Sequence, residues 1–127
     1  MSKSAQSLFV FSIYLFILGL ILLVIPNVLL NLFSLPETNE VWIRVVGMLV
    51  FLLGFYDFQA SKNEMINFFQ WTVYARAMVP VFFIVFVLLD FAPPILILFG
   101  VIDAVAALWT HLSLQSEKQV QELGGLS

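Results

Sequence analysis

Four stretches of this chain, 8–32, 41–60, 65–89 and 95–114, each run for about 20 to 25 residues with almost no charge. A helix rises ~1.5 Å per residue, so about 20 apolar residues cross the ~30 Å hydrocarbon core of a bilayer. Inside lipid a spanning segment must satisfy its own backbone hydrogen bonds, which leaves helices or closed barrels. Barrel strands need only about ten residues, so runs of this length point to helices. The expected fold is all-α: a four-helix transmembrane bundle with antiparallel neighbours, short loops and a polar C-terminal tail at 115–127, too short to fold alone.

Composition agrees. Hydrophobic residues make up 62% of the 127 and charged residues 10%, against about a quarter charged in a soluble domain. A single integral membrane domain fills the chain. Its five Lys and Arg residues are scattered singly, which excludes a nucleic-acid surface. Cysteine is absent, removing disulfides, thiol chemistry and cysteine-ligated metal. The first apolar run exceeds a signal-peptide core and no small-x-small cleavage site closes it, so it reads as a retained span.

Small residues recur at helical spacing. Ser12, Gly19 and Pro26 fall seven apart, and Asn27 and Asn31 place amides near the exit of the first span. In the second span Gly47, Val50, Gly54, Asp57 and Ser61 make a small-to-polar face where a neighbouring helix can approach closely. The plainer alternative is that glycine is simply common in membrane helices.

Lys3, Lys62 and Lys118 flank the spans on the side of both termini, while the other side holds Glu37, Glu40 and Asp90 with only Arg44 nearby. The excess of Lys and Arg predicts a multi-pass protein of the cell membrane with both termini cytoplasmic. Trp42 then marks the outer interface, and Trp71 and Trp109 the inner one.

Arg44, Asp57, Arg76 and Asp103 are the charges inside the apolar runs. Folding the last two spans about Phe91-Ala92 sets Asp103 opposite Pro80 and Arg76 opposite Ala107, an offset of about four residues or ~6 Å. A lone charge at mid-bilayer costs about 2.5–3.5 kcal/mol on insertion scales, so an Arg76–Asp103 pair facing the bundle is the expected arrangement. Pro80 has no amide hydrogen, which deprives the Arg76 carbonyl of its helical partner and favours a kink there. Gly100, Asp103, Ala104, Ala107 and His111 share one face of the fourth span. The candidate buried polar site is thus Arg76, Asp103, Trp71, Tyr74 and Pro80.

Arg44 and Asp57 lie nearer the boundaries and read as interface anchors, Arg44 reaching water or Asn27 and Asn31 and Asp57 lying near Lys62. His111 reads as an interfacial polar residue; with no ligand-spaced neighbour it makes no metal site. Tryptophan and phenylalanine read as lipid-facing and packing residues. No phosphate loop, dinucleotide fingerprint, catalytic triad or paired-acid motif is present, so neither an enzyme nor a cofactor is expected.

Trp42-x-Arg44-x-x-Gly47, Gly54-x-Tyr56, Arg76, and Asp103 with Ala107-x-Trp109-Thr110 resemble small bacterial membrane proteins, the BphX-like family in particular. The resemblance implies a four-span protein of the bacterial inner membrane with no assigned activity and no catalytic residues. Two functions stay open. One is a structural or accessory bundle that binds a partner membrane helix or a second copy of itself. The other is a small transporter or binding protein for an apolar or lipid-like molecule, working as a dimer around a cavity lined by Arg76, Asp103, Trp71 and Tyr74. The bilayer is the partner in both.

Overall fold

A computed structural model describes residues Met1–Gly125. They are all-helical: α1 (Lys3–Val24), α2 (Pro26–Leu32), α3 (Trp42–Lys62), α4 (Ile66–Leu88) and α5 (Leu96–Gly125). Four of these, α1, α3, α4 and α5, are long and apolar enough to cross a membrane. The first apolar run is therefore two helices. Pro26 opens α2 because its ring fits the first helical position but cannot continue α1. Helix α4 instead runs through Pro80 without interruption.

Three connections end their preceding helix in the same way. Ser34, Glu64 and Asp90 have φ of 57°, 51° and 61°, the left-handed conformation that closes a helix C-terminus. Behind each, a reversed pair of bonds collects the last carbonyls. Leu35 N–H donates to Leu30 O at 2.8 Å, Met65 to Ala60 at 3.1 Å and Phe91 to Phe86 at 2.8 Å. None of the three residues is glycine, so each cap holds its conformation against a steric cost.

The chain divides into two compact units. One is Phe9–Gln59, built from most of α1, all of α2 and most of α3. Its seam is the small-residue stripe. Gly19 stands against Gly47 and Phe51, and Gly54 against Ser12, Leu15 and Phe16, so α1 and α3 run antiparallel with their backbones close. Phe16 meets Phe51 edge-on at 5.0 Å beside that seam. At the far end Arg44 donates to the carbonyls of Leu23 and Val24, the last of α1. A cation at a helix C-terminus meets both unsatisfied carbonyls and the negative dipole end. Arg44 is thus a helix cap, and Asn27 and Asn31 serve the loop instead. Asn27 Oδ1 accepts from Thr38 N–H at 2.9 Å, and Asn31 Nδ2 donates to Glu37 at 2.6 Å. Asp57 is buried, at 7% exposure, rather than an anchor in water.

The other unit is Met1–Leu8 with the chain from Ala60 onward. Its apolar core is Ala5, Leu8, Ala60 and Phe69, with Phe68 and Leu114 packed against it. Helices α4 and α5 form an antiparallel hairpin in which Gly100 lies against Pro80 and Phe83. Residues 115–125 extend α5 rather than forming a separate tail. Extending an existing helix costs no nucleation, and residues 115–123 contain no glycine or proline to interrupt the extension. At 30 residues α5 is about 45 Å long, so roughly a third of it exceeds a ~30 Å hydrocarbon core.

Candidate functional site

Arg76 is the one charged side chain of α4, and it is buried at 5% exposure. Its Nε donates to the Thr72 carbonyl at 3.2 Å. Its Nη2 donates to the Thr72 hydroxyl at 3.2 Å and the Thr110 hydroxyl at 2.9 Å. The hydroxyls pass the interaction on, because each has one hydrogen to give. Thr72 gives its hydrogen to Phe69 O at 2.7 Å, and Ser7 gives its own to Ser4 O at 2.7 Å. Ser7 and Thr110 oxygens are 2.7 Å apart, and with the Ser7 hydrogen committed, Thr110 is the donor between them. The chain of donation thus runs from Arg76 through Thr110 and Ser7 to the backbone of α1. Ser4, Ser7 and Thr110 are fully or almost fully buried, where aligned hydroxyl dipoles strengthen one another.

The same serines join a second network. Ser4 donates its N–H to Glu117 Oε1 at 2.8 Å and its hydroxyl to Oε2 at 2.7 Å. Ser2 does likewise to Glu64, at 2.7 Å from N–H and 2.6 Å from hydroxyl. Ser2 Oγ also accepts from Ala5 N–H at 3.1 Å, making Ser2 the N-cap of α1. Three of the first four amides of α1 therefore have partners, two of them carboxylates at the positive end of the helix dipole. Glu64 is exposed. The Ser2 hydroxyl first, and its amide second, hold the Glu64 carboxyl below its ordinary range.

The expected Arg76–Asp103 ion pair is not formed. Among the described residues no hydrogen bond or ion pair holds Asp103, although it is near enough for its charge to be felt at Arg76. Side-chain direction explains this, even though the register brings the two residues closer than expected. Pro80 faces Gly100 rather than Asp103, so the hairpin is displaced by three residues from the expected register. Counting four residues from that contact puts Arg76 level with Ala104, beside Asp103. Helical side chains lean toward their own N-terminus. In an antiparallel hairpin Arg76 therefore leans toward Thr72 and Thr110, and Asp103 leans the other way.

Trp71 and Tyr74 do not join Arg76 in a cavity. They are 66% and 70% exposed. Pro80 is half-buried against Gly100. Tyr74 instead borders a groove of about 540 Å³ between the start of α4 and the end of α5, with Gln70 on its own helix and His111, Gln115 and Lys118 opposite.

Sequence reasoning missed Thr72 and Thr110 as partners of the arginine, and Ser7 and Ser4 as the next links behind Thr110. The spacing carried a signal: Thr72 is one turn before Arg76, and Ser4 and Ser7 share a face. Comparison with family models, with curated proteins and with solved structures matches none of them to this chain, so the likeness to the BphX-like family rests on the sequence motif alone.

Proposed function

We propose that this chain is a small structural or accessory protein of the bacterial inner membrane. In this reading it has both termini in the cytoplasm, carries out no catalysis, and associates with a partner membrane helix or a second copy. The observation that supports it is Arg76. A buried guanidinium kept for a ligand needs donors aimed at an open space, whereas Nε and Nη2 of this one are committed to Thr72 and Thr110. Its role is then to hold α4, α5 and the start of α1 in register, with Asp103 balancing its charge at a distance.

A second reading, a dimeric transporter or binding protein for an apolar or lipid-like molecule, draws on the groove beside Tyr74. Arg76→Gln and Arg76→Lys separate the two. Under the first reading folded yield, melting temperature and growth phenotype fall together, and Lys, lacking the planar fork, recovers only part of the loss. Normal yield with a lost phenotype would overturn the structural role and favour a ligand site. Reporter fusions at each terminus test the orientation; a periplasmic signal from either one rejects it.

A further inference from the structure

The groove between α4 and α5 combines features that neither helix has alone. On α4, Gln70 and Tyr74 are four residues apart; on α5, His111, Gln115 and Lys118 follow at four and three. Each set forms one stripe, so the polar tips line the two sides of a single trough. Val73 and Leu114 contribute apolar lining between them. The volume, about 540 Å³, lies in the ~300–1,000 Å³ range of small-molecule sites. Among the described residues none of the five polar side chains hydrogen-bonds to the protein, so their donors are available to a ligand.

Charge decides the occupant. The lining contains one acid, Glu117, whose two oxygens are both taken by Ser4. Lys118 is exposed and makes no ion pair among the described residues; Glu122, one turn further on, lies outside the lining. The formal charges of Lys118 and Glu117 cancel, but the Glu117 oxygens are turned to Ser4, which leaves the Lys118 ammonium and the hydroxyl, imidazole and amide donors as the groups open to a ligand. Depth agrees: exposed Trp71 and Trp109 lie within a turn of its inner end, at the level where amphipathic rings mark a membrane interface. We infer that this groove binds the headgroup of an anionic glycerophospholipid, its phosphate at Lys118 and His111, its glycerol near Tyr74 and Gln115, and its acyl chains leaving past Val73 and Leu114.

The inference requires only that the chain lies in a membrane, and stands apart from the structural role of Arg76. The test uses the full chain in a neutral detergent, titrated with phosphatidylglycerol or phosphatidylcholine of identical acyl chains and read by native mass spectrometry. One basic side chain at an anionic surface is worth about fivefold in affinity. Phosphatidylglycerol should therefore bind at least about fivefold tighter, and Lys118→Gln should remove that preference without changing the melting temperature of the lipid-free protein. Tyr74→Phe and His111→Gln should weaken it further. Equal affinity for the two lipids, or a preference unchanged in Lys118→Gln, overturns the inference. So does competition by glycerol phosphate as effective as that by the lipid, which would mark a free phosphate site. Cross-linking between copies through Gln115 that excludes lipid would make the groove a self-association surface and would also overturn it.

Discussion

Gly19 and Gly47 fill the space that each leaves empty: a Cβ on Gly19 would lie 2.9 Å from the Gly47 carbonyl oxygen, and a Cβ on Gly47 2.9 Å from that of Gly19. The obstructing atoms are backbone, which cannot rotate away. Close backbone approach is what holds helices together where lipid offers no hydrophobic drive. Either Gly→Ala substitution should cost about 1–3 kcal/mol, as overpacking does in a close-packed interior. Gly124, with open space around it, is the control. Melting temperatures of the three alanine variants in one detergent check this; an unaffected Gly19→Ala protein would mean the seam is loose.

The hydroxyl network predicts an order among its members. A neutral hydroxyl pair between membrane helices is worth about 0.6 kcal/mol on average. A bond to a charged group is worth about 1.5–3 kcal/mol. Thr110→Val removes the acceptor of Arg76 and should cost about 2 kcal/mol, Ser7→Ala clearly less, and Thr110→Ser almost nothing. Unfolding free energies in mixed micelles rank them, and equal losses for Ser7→Ala and Thr110→Val would reject the direction of donation given above.

Charge exchange should fail. In the double variant Arg76→Asp, Asp103→Arg, the new arginine leans away from Thr110, and the new aspartate leaves the buried threonines without their cation. We expect folded yield no better than that of Arg76→Asp alone. A double-mutant cycle should give a larger coupling for Arg76 with Thr110 than for Arg76 with Asp103. Full rescue by the exchange would restore the ion pair that the sequence suggests.

These expectations show which parts of the architecture could be read from residues alone. The long helices followed from hydropathy, because a bilayer sets a length and forbids unpaired backbone, and each residue votes independently. The stripe of Gly19, Gly47 and Gly54 was visible for the same reason: close approach needs small side chains at helical spacing. Register was not visible. A three-residue displacement of the α4–α5 hairpin depends on how the left-handed cap at Asp90 and the turn through Pro93 and Pro94 use their residues. It brings Arg76 level with Ala104, and the lean of its side chain toward its own N-terminus then takes the guanidinium to Thr110 rather than Asp103. Nor did Glu117 and Glu64 announce themselves as caps of α1, since such partners are 113 and 62 residues away in the chain. Arg44 was given the wrong partners, because the break at Pro26 creates carbonyls that an unbroken span would not have.

The left-handed caps make an opposite prediction, of gain. Asp90 holds φ at 61°, a conformation that costs a residue with a Cβ about 1–2 kcal/mol and glycine much less. Asp90→Gly should raise stability by up to about 1 kcal/mol once the flexibility it adds to the unfolded chain is subtracted. Ser34→Gly should behave alike, less whatever its hydroxyl contributes. Glu64→Gly should not, because it frees the backbone but loses both bonds to Ser2. Thermal unfolding of the three variants side by side shows whether the conformational gain and the lost carboxylate separate as argued.

Glu64 also gives the start of α1 a dependence on pH. Its folded pKa is lowered from 4.5, through the Ser2 hydroxyl first and the Ser2 amide second. A carboxyl lowered on folding stabilises fully above its unfolded pKa, and that contribution disappears as pH falls through the lower, folded value. Above the ordinary carboxylate range Ser2 should therefore stay fixed; below it, protonation removes an acceptor and the first turn of α1 frays. Glu64→Gln retains a carbonyl acceptor and has no proton to gain, so its first turn should be looser at neutral pH and should lose nothing further from this position in acid. Amide hydrogen exchange over Ser2 to Ser7, taken as the ratio of wild type to Glu64→Gln at each pH, cancels the intrinsic pH dependence of exchange. The ratio should show protection at pH 7 and approach unity below the folded pKa of Glu64. A ratio that stays constant across that range would show that the carboxylate of Glu64 does not hold the helix.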